Sequence, residues 1–348
     1  KSGGSDGRPP ARRSAASVGL DETSYFVFGG VDASVGDATL NTSWRFDFDG
    51  LTAGASGRWS ELTPGPQSEA VQARSWHTLV ATDATNLVVL GGCAAALAND
   101  HICPATVFND VWWGQIGSND ASGALQRGVS AGQVAIKINE PQQKEEAAAA
   151  AGQSWNITWK QVPFSPGEVP PLFGHSAAML GPDRMVVVAG DEGEGVPNSK
   201  TYFLDMTDSQ SWSWKTAQVN VQPPDRIFAA MAGFREGPVG TFHVFMFGGL
   251  GRQPPNSKVY DDLWQLTYYN LQPLNPSEWT ILAGSSNMGP RFQSVAVLIS
   301  SGMLVYGGYS QASGGTEVYK DDMFARDVVH ANPDTFGDGN WTKQPSQQ

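Results

Sequence analysis

Side chains able to support metal or acid–base chemistry are few and scattered in this 348-residue chain. The histidines are His77, His101, His175, His243 and His330, and nothing among them has the spacing at which Zn2+ is held. His101 and Cys103 offer an imidazole and a thiolate two residues apart, but Cys103 has a competing use as the partner of Cys93. The stretch Asp191-Glu-Gly-Glu194 supplies hard oxygen ligands of the kind Ca2+ takes, and reads equally as a solvated loop. Gly248-Gly-Leu-Gly251 is glycine-rich, but no Gly-Lys-Ser/Thr follows it and no helix is signalled, so it is not a phosphate cradle. The expectation from these groups is no catalytic residue, no metal site and no cofactor.

What positions side chains here is a repeat. Five short apolar runs end in glycine: Tyr25 to Gly30, Leu87 to Gly92, Met185 to Gly190, His243 to Gly249 and Met303 to Gly308. Their last glycines lie 62, 98, 59 and 59 residues apart. About 17 residues before each stands a Pro/Arg element ending at Arg12, Arg74, Leu172, Arg226 and Arg291. Three residues later comes Ala15, His77, His175, Ala229 or Ser294, which makes His77 and His175 members of the repeat and not of a site. After each glycine pair a polar turn residue precedes an aromatic: Asn41/Trp44, Asn109/Trp112, Ser199/Tyr202, Asp261/Trp264 and Asp321/Phe324. Each unit closes on a tryptophan: Trp59, Trp159, Trp214, Trp279 or Trp341.

Each unit therefore holds four strands: small-apolar, bulky-apolar, aromatic and Trp-bearing. Glycine permits positive φ and close backbone approach where the second strand exits. Asn and Asp bond the backbone of a turn, and the aromatics supply the surfaces on which sheets stack. Four strands per unit, repeated, is the pattern of an all-β propeller. The Arg-x-x-His start (intact at Arg74/His77), the Gly-Gly exit, the Asn-Asp-aromatic turn and the late Trp resemble the Kelch repeat, the propeller type found in the central domain of galactose oxidase. Five units are visible between about residues 9 and 343, with six or seven blades expected if the chain is a piece of a longer one. The resemblance also raises copper-radical oxidases, which need a crosslinked Cys–Tyr pair, a second Tyr and two His. Both cysteines here lie in one connection and no Tyr-His pair exists, so that carry-over fails. Neither is there the Glu, Asp and His run at four-residue steps of the iron-binding Kelch specifier proteins.

The reading divides the chain into an extension over 1–13, the propeller over 14–344 and a tail over 345–348. Between Trp112 and Trp159 lie 47 residues, against 12 to 17 in the other units, which marks an insertion from Ser118 to Gln153. It contains a strand candidate, Gln133 to Ile138, and the helix-forming Lys144 to Ala151. The net charge of −12 and pI near 4.8 argue against nucleic-acid partners. No apolar run is long enough to span a bilayer. The first residues lack an initiator Met and a signal-peptide core, as in a processed chain or part of a longer one.

Cys93 and Cys103 sit in one long connection and are expected to be bridged, which implies an oxidising compartment. The sequons at Asn41, Asn156 and Asn340 point the same way, with Asn156 and Asn340 expected in exposed loops before a fourth strand. These features give an extracellular or cell-surface location, with a cytoplasmic or ciliary one as the alternative. The functional expectation is a non-enzymatic binding or assembly module for protein or glycan partners, set against a glycan-active or oxidative enzyme. Contact residues are expected on the connections after the glycine pairs: Arg252, Gln253, Tyr260, Tyr309 and Tyr319. The insertion, which joins third and fourth strands, is expected to form a second contact on the opposite face.

Overall fold

A computed structural model describes residues 7–50, 56–97, 101–118, 154–208, 211–219, 221–236, 241–253, 256–269, 277–283, 286–299, 302–311, 316–328 and 341–345. The protein is an all-β, five-bladed propeller built of small antiparallel sheets. Its two compact units are Lys1–Ser165, with blades 1 and 2, and Pro166–Gln348, with blades 3 to 5.

Blade 1 has β1 (Ala16–Gly19), β2 (Ser24–Phe28), β5 (Ser43–Phe48) and β6 (Gly57–Glu61), with a small hairpin of β3 (Val31–Asp32) and β4 (Ala38–Thr39) between its second and third strands. Blade 2 has β8 (Thr78–Ala81), β9 (Asn86–Leu90), β10 (Val111–Ser118) and β11 (Trp155–Val162). A fifth strand joins its outer edge, β7 (Thr63–Pro64), parallel to β11. The repeat pattern did not anticipate it: the link leaving β6 bonds the edge of the next blade before turning inward.

Blade 3 has β12 (Ser176–Met179), β13 (Arg184–Asp191), β14 (Pro197–Asp205) and β15 (Ser213–Thr216). Blade 4 has β16 (Ala230–Glu236), β17 (Thr241–Phe247), β20 (Leu263–Tyr269) and β21 (Glu278–Ala283), with the hairpin β18 (Leu250–Gln253) and β19 (Asn256–Val259). Blade 5 has β22 (Val295–Ile299), β23 (Gly302–Tyr306), β26 (Met323–Arg326) and β27 (Thr342–Lys343), with the hairpin β24 (Tyr309–Gln311) and β25 (Glu317–Tyr319). Among the described residues the helical structure is a 3-10 turn over Ala33–Val35.

Strand alternation makes each blade apolar on two sides. In blade 1, Phe26 and Phe28 are fully buried against blade 2, where Trp159 lies 6.4 and 5.3 Å from their rings. Blades 3 and 4 share a core of Val186, Val188, Phe242, Val244, Trp264 and Trp279. Blades 4 and 5 share one of Phe245, Phe247, Met303, Val305, Phe324 and Trp341.

Both glycines of each pair have positive φ, for example 58° and 105° at Gly91 and Gly92. A Cβ at Gly92 would sit 2.7 Å from the Ser75 carbonyl, so the second glycine is required by close approach. In blade 3, Ala189 takes the first position at φ 62°. A second left-handed residue recurs two positions after each Pro/Arg element: Ser14, Trp76, Gly174, Phe228 and Gln293. Its N–H reaches the equivalent residue of the preceding blade, Trp76 to Ser14 at 3.1 Å, Phe228 to Gly174 at 2.7 Å and Gln293 to Phe228 at 2.9 Å.

Candidate interaction face

The connections between second and third strands are held by a repeated arginine bracket. Arg74, fully buried, donates to the Gly91 carbonyl at 2.9 Å and to both oxygens of Asp110 at 2.6 and 2.8 Å. Arg226 repeats this on the Gly248 carbonyl at 2.7 Å and on Asp262 at 2.7 and 2.9 Å. Arg291 donates to the Gly307 carbonyl at 3.2 Å and to Asp322 at 2.8 Å. Arg12 reaches the Gly29 carbonyl at 3.0 Å and, lacking an aspartate, the Thr42 hydroxyl at 3.2 Å. A planar fork bonding a carboxylate twice is geometry that lysine cannot reproduce. Blade 3 lacks both partners together: Leu172 stands for the arginine and Lys200 for the aspartate, and Lys200 pairs instead with Glu192 at 2.9 Å.

The bracket leaves its trace on acidity. Burial pushes the Asp322 carboxyl up, but the hydrogen bond and charge of Arg291, with Lys343, reverse this and hold it below the usual carboxylate range. Burial alone drives His175 down to about 3, keeping the imidazole neutral in the fold.

The expected contact residues divide. Tyr319 is 63% exposed, and its ring meets Tyr309 edge-on at 5.8 Å. Tyr309, half-buried, lies 5.9 Å from the fully buried Phe292. Gln253 ends β18 opposite Asn256. Tyr260 is buried, with the Arg226 guanidinium 4.1 Å over its ring, so it belongs to the bracket and not to the contact surface. Arg252 is likewise turned inward, donating to the Gly195 carbonyl at 3.4 Å and lying 3.8 Å from the Asp191 carboxylate. The sequence reading missed Val318, which is exposed beside Tyr319 on β25.

The acidic stretch is occupied by its own loop. Asp191 accepts from the Gly193 and Gly195 N–H groups at 2.7 and 3.2 Å, and Glu192 pairs with Lys200. Among the described residues no group of three or more His, Cys, Asp or Glu is placed to hold a metal ion. Cys93 and Cys103 are bridged, with Cα atoms 5.8 Å apart. The bridge closes the blade 2 connection, in which Cys93 also pairs by backbone with Ser75 and Val107.

Asn156 does not sit in the exposed loop where it was expected. Asn156 lies within β11, paired with Gly117 and with Thr63, because the extra strand β7 covers that edge. Asn41, expected to cap its turn, donates to the Val71 carbonyl at 3.3 Å, 30 residues along the chain. Asn340, His330 and the insertion beyond Ser118 lie outside the described residues. Among the described residues no helix is long and apolar enough to cross a membrane.

No family model matches the chain. It is 30% identical over 188 residues to the dynein alpha chain of the flagellar outer arm of Chlamydomonas reinhardtii, covering 52% of this chain and 4% of that one. It is 29% identical over 164 residues to adagio-like protein 1 of Oryza sativa subsp. japonica, covering 43% and 24%. It is 29% identical over 163 residues to an F-box/kelch-repeat protein of Arabidopsis thaliana, covering 46% and 32%. The matches thus span a third or less of these relatives' lengths. Among solved structures, YjhT aligns over 98% of this chain at 15% identity and a TM-score of 0.45, too loose a likeness to carry an argument. These relatives, among them a dynein chain of the flagellar outer arm and an F-box/kelch-repeat protein, overturn the expectation of an extracellular or cell-surface protein. The inference from bridge and sequons to a secretory location fails with it. The chain is a five-bladed β-propeller related to kelch-repeat proteins.

Proposed function

We propose that this propeller is a non-enzymatic protein-binding module that docks a partner within a ciliary or cytoplasmic assembly through its second-to-third-strand hairpins. The observation that carries the reading is the β24–β25 hairpin. It presents an exposed aliphatic–aromatic pair, Val318 and Tyr319, on a backbone paired from Tyr309–Tyr319 to Gln311–Glu317 and anchored through Tyr309 on Phe292. Tyrosine on a rigid support contributes large contact area at low entropy cost, which is the usual make-up of a binding hot spot. The kinship to kelch-repeat proteins and to a flagellar dynein chain supports the partner class and the setting. Arg252 ties the neighbouring β18–β19 hairpin to the Gly195 carbonyl of blade 3, Gln253 belongs to that same hairpin, and the Ser118–Gln153 insertion is a second contact element.

The test is co-purification of the tagged protein from its own cells. Val318→Asp and Tyr319→Ala should each reduce the bound partner roughly tenfold or more, while Lys215→Ala on β15 leaves it unchanged. Equal recovery from all variants, with folding confirmed by circular dichroism, overturns the proposal.

A further inference from the structure

The second-to-third-strand connection of blade 2 is closed by other means than those of its counterparts in blades 1, 4 and 5. There the connection is a hairpin held by backbone pairs, Val31–Thr39 in β3–β4, Leu250–Val259 in β18–β19 and Tyr309–Tyr319 in β24–β25. In blade 2 the two arms are joined by the bridge between Cys93 and Cys103, which stand 10 residues apart. Backbone bonds hold the base of both arms. Ser75 and Cys93 each donate to the other's carbonyl, at 2.9 and 2.8 Å, while Phe108 donates to the Gly92 carbonyl and Ala94 to the Thr106 carbonyl, both at 2.9 Å. Beyond Thr106 the bridge ties residues 101–105 back to Cys93. The first arm also lies against the blade 1 hairpin, where the Thr39 hydroxyl donates to the Ala94 carbonyl at 3.2 Å. The two sulfurs are unequally sheltered. Cys93 is fully buried, whereas Cys103 is 6% exposed and is followed by the exposed Pro104, Ala105 and Thr106.

We propose that the Cys93–Cys103 bridge is a redox-responsive clasp: a dithiol reductant opens it and frees residues 101–105 beside the blade 1 hairpin, while blade 2 stays folded. The inference rests on the ciliary or cytoplasmic setting proposed above. Such compartments keep thiols reduced, and disulfides that form there are usually transient or redox-sensing. In the exchange, a thiolate of the reductant attacks Cys103 Sγ, the more accessible sulfur, and Cys93 Sγ leaves as a thiolate and takes up a proton. The reductant's second thiolate then attacks the reductant sulfur of the mixed disulfide and releases Cys103 Sγ, which is protonated in turn. The protein gains two electrons and two protons as two thiols, and the dithiol becomes a disulfide. A disulfide oxidant runs the same exchange backwards and closes the clasp. The change is local because the Ser75–Cys93, Gly92–Phe108 and Ala94–Thr106 bonds are made by backbone and do not need the bridge. What changes is the surface that blade 2 offers next to Thr39.

The first test quenches the protein's own cells in acid, alkylates free thiols and measures the bridged fraction by mass spectrometry. That fraction should rise about threefold or more when the cells are exposed to diamide, and fall back after its removal. A bridge already complete in untreated cells, or thiols that stay free under diamide, overturns the proposal. Hydrogen exchange of the purified 348-residue chain reads the structural change. Reduction should speed exchange within residues 101–105 about tenfold or more and leave β9 and β10 protected. Unchanged exchange at 101–105, or loss of protection in β9 and β10, contradicts it. The reductant has no second target, because Cys93 and Cys103 are the chain's two cysteines. The double variant Cys93→Ser, Cys103→Ser should therefore exchange like the reduced protein with or without reductant, and a response to reductant in it refutes the assignment. None of these readouts involves a partner, so failure of the clasp is separate from failure of the hairpin contact, which Val318→Asp reads.

Discussion

Replacing Arg226 with Leu removes the centre of one bracket. Its guanidinium is fully buried and donates to the Pro224 carbonyl at 2.9 Å, the Gly248 carbonyl at 2.7 Å and both oxygens of Asp262. Leucine would strand a buried carboxylate as well as the carbonyls, and breaking a buried pair from one side costs about 3–5 kcal/mol. At about 2 °C of Tm per kcal/mol for a chain of this size, Tm should fall by about 6–10 °C. Adding Asp262→Asn removes the stranded charge while leaving an oxygen for the Trp264 indole N–H, which now donates to Asp262 at 2.8 Å. The double variant should therefore be more stable than Arg226→Leu alone by about 1–2 kcal/mol. Blade 3 is the natural precedent, since Leu172 and Lys200 occupy the same two positions together. Thermal unfolding by circular dichroism, with urea titration alongside, measures both. A Tm for Arg226→Leu within 2 °C of the parent, or a double variant that loses the sum of the two single effects, refutes the bracket as described.

Acid should weaken the fold through His175. Its folded pKa of about 3 lies below the ordinary 6.5, so the unfolded chain binds the extra proton and stability falls as pH drops from 6.5 towards 3. Near pH 5 the loss is about 2 kcal/mol, and His175→Gln should flatten that part of a pH–Tm curve. Removing the insertion should leave blade 2 intact, because Ser118 and Trp155 are direct partners at the end of β10 and β11. Replacing residues 119–154 by an Asn-Gly turn is expected to keep the strand circular-dichroism signal and Tm. Reducing the Cys93–Cys103 bridge, which closes a 10-residue separation, should cost about 2.5–3 kcal/mol by loop entropy, read as the Tm difference with and without reductant.

The strand plan was legible because its signals are local. A glycine pair after a bulky run fixes where each second strand exits, and the late aromatics fix the third and fourth strands, as Trp264 in β20 and Trp279 in β21 show. The bracket was half legible. The arginines were visible as a period, but their partners Asp110, Asp262 and Asp322 sit one residue beyond the turn residues singled out, and only the three-dimensional path brings them together. The left-handed positions at Trp76, Phe228 and Gln293 carried no glycine signal, because backbone bonds between blades enforce them. Tyr260 and Arg252 looked like surface residues because exposure in a repeat loop depends on what the bracket draws inward. β7 was hidden because a two-residue edge strand has no periodicity of its own. The location was misread because a short-range disulfide and chance sequons are weak evidence of compartment.

Binding through the hairpins is tested most directly by lysine crosslinking of the native assembly, read by mass spectrometry. Lys200 on β14, Lys258 on β19 and Lys320 after β25 flank the proposed contact, whereas Lys160 on β11 and Lys215 on β15 lie on fourth strands. The account predicts partner crosslinks concentrated on Lys200, Lys258 and Lys320. Partner crosslinks confined to Lys160 and Lys215 would contradict it.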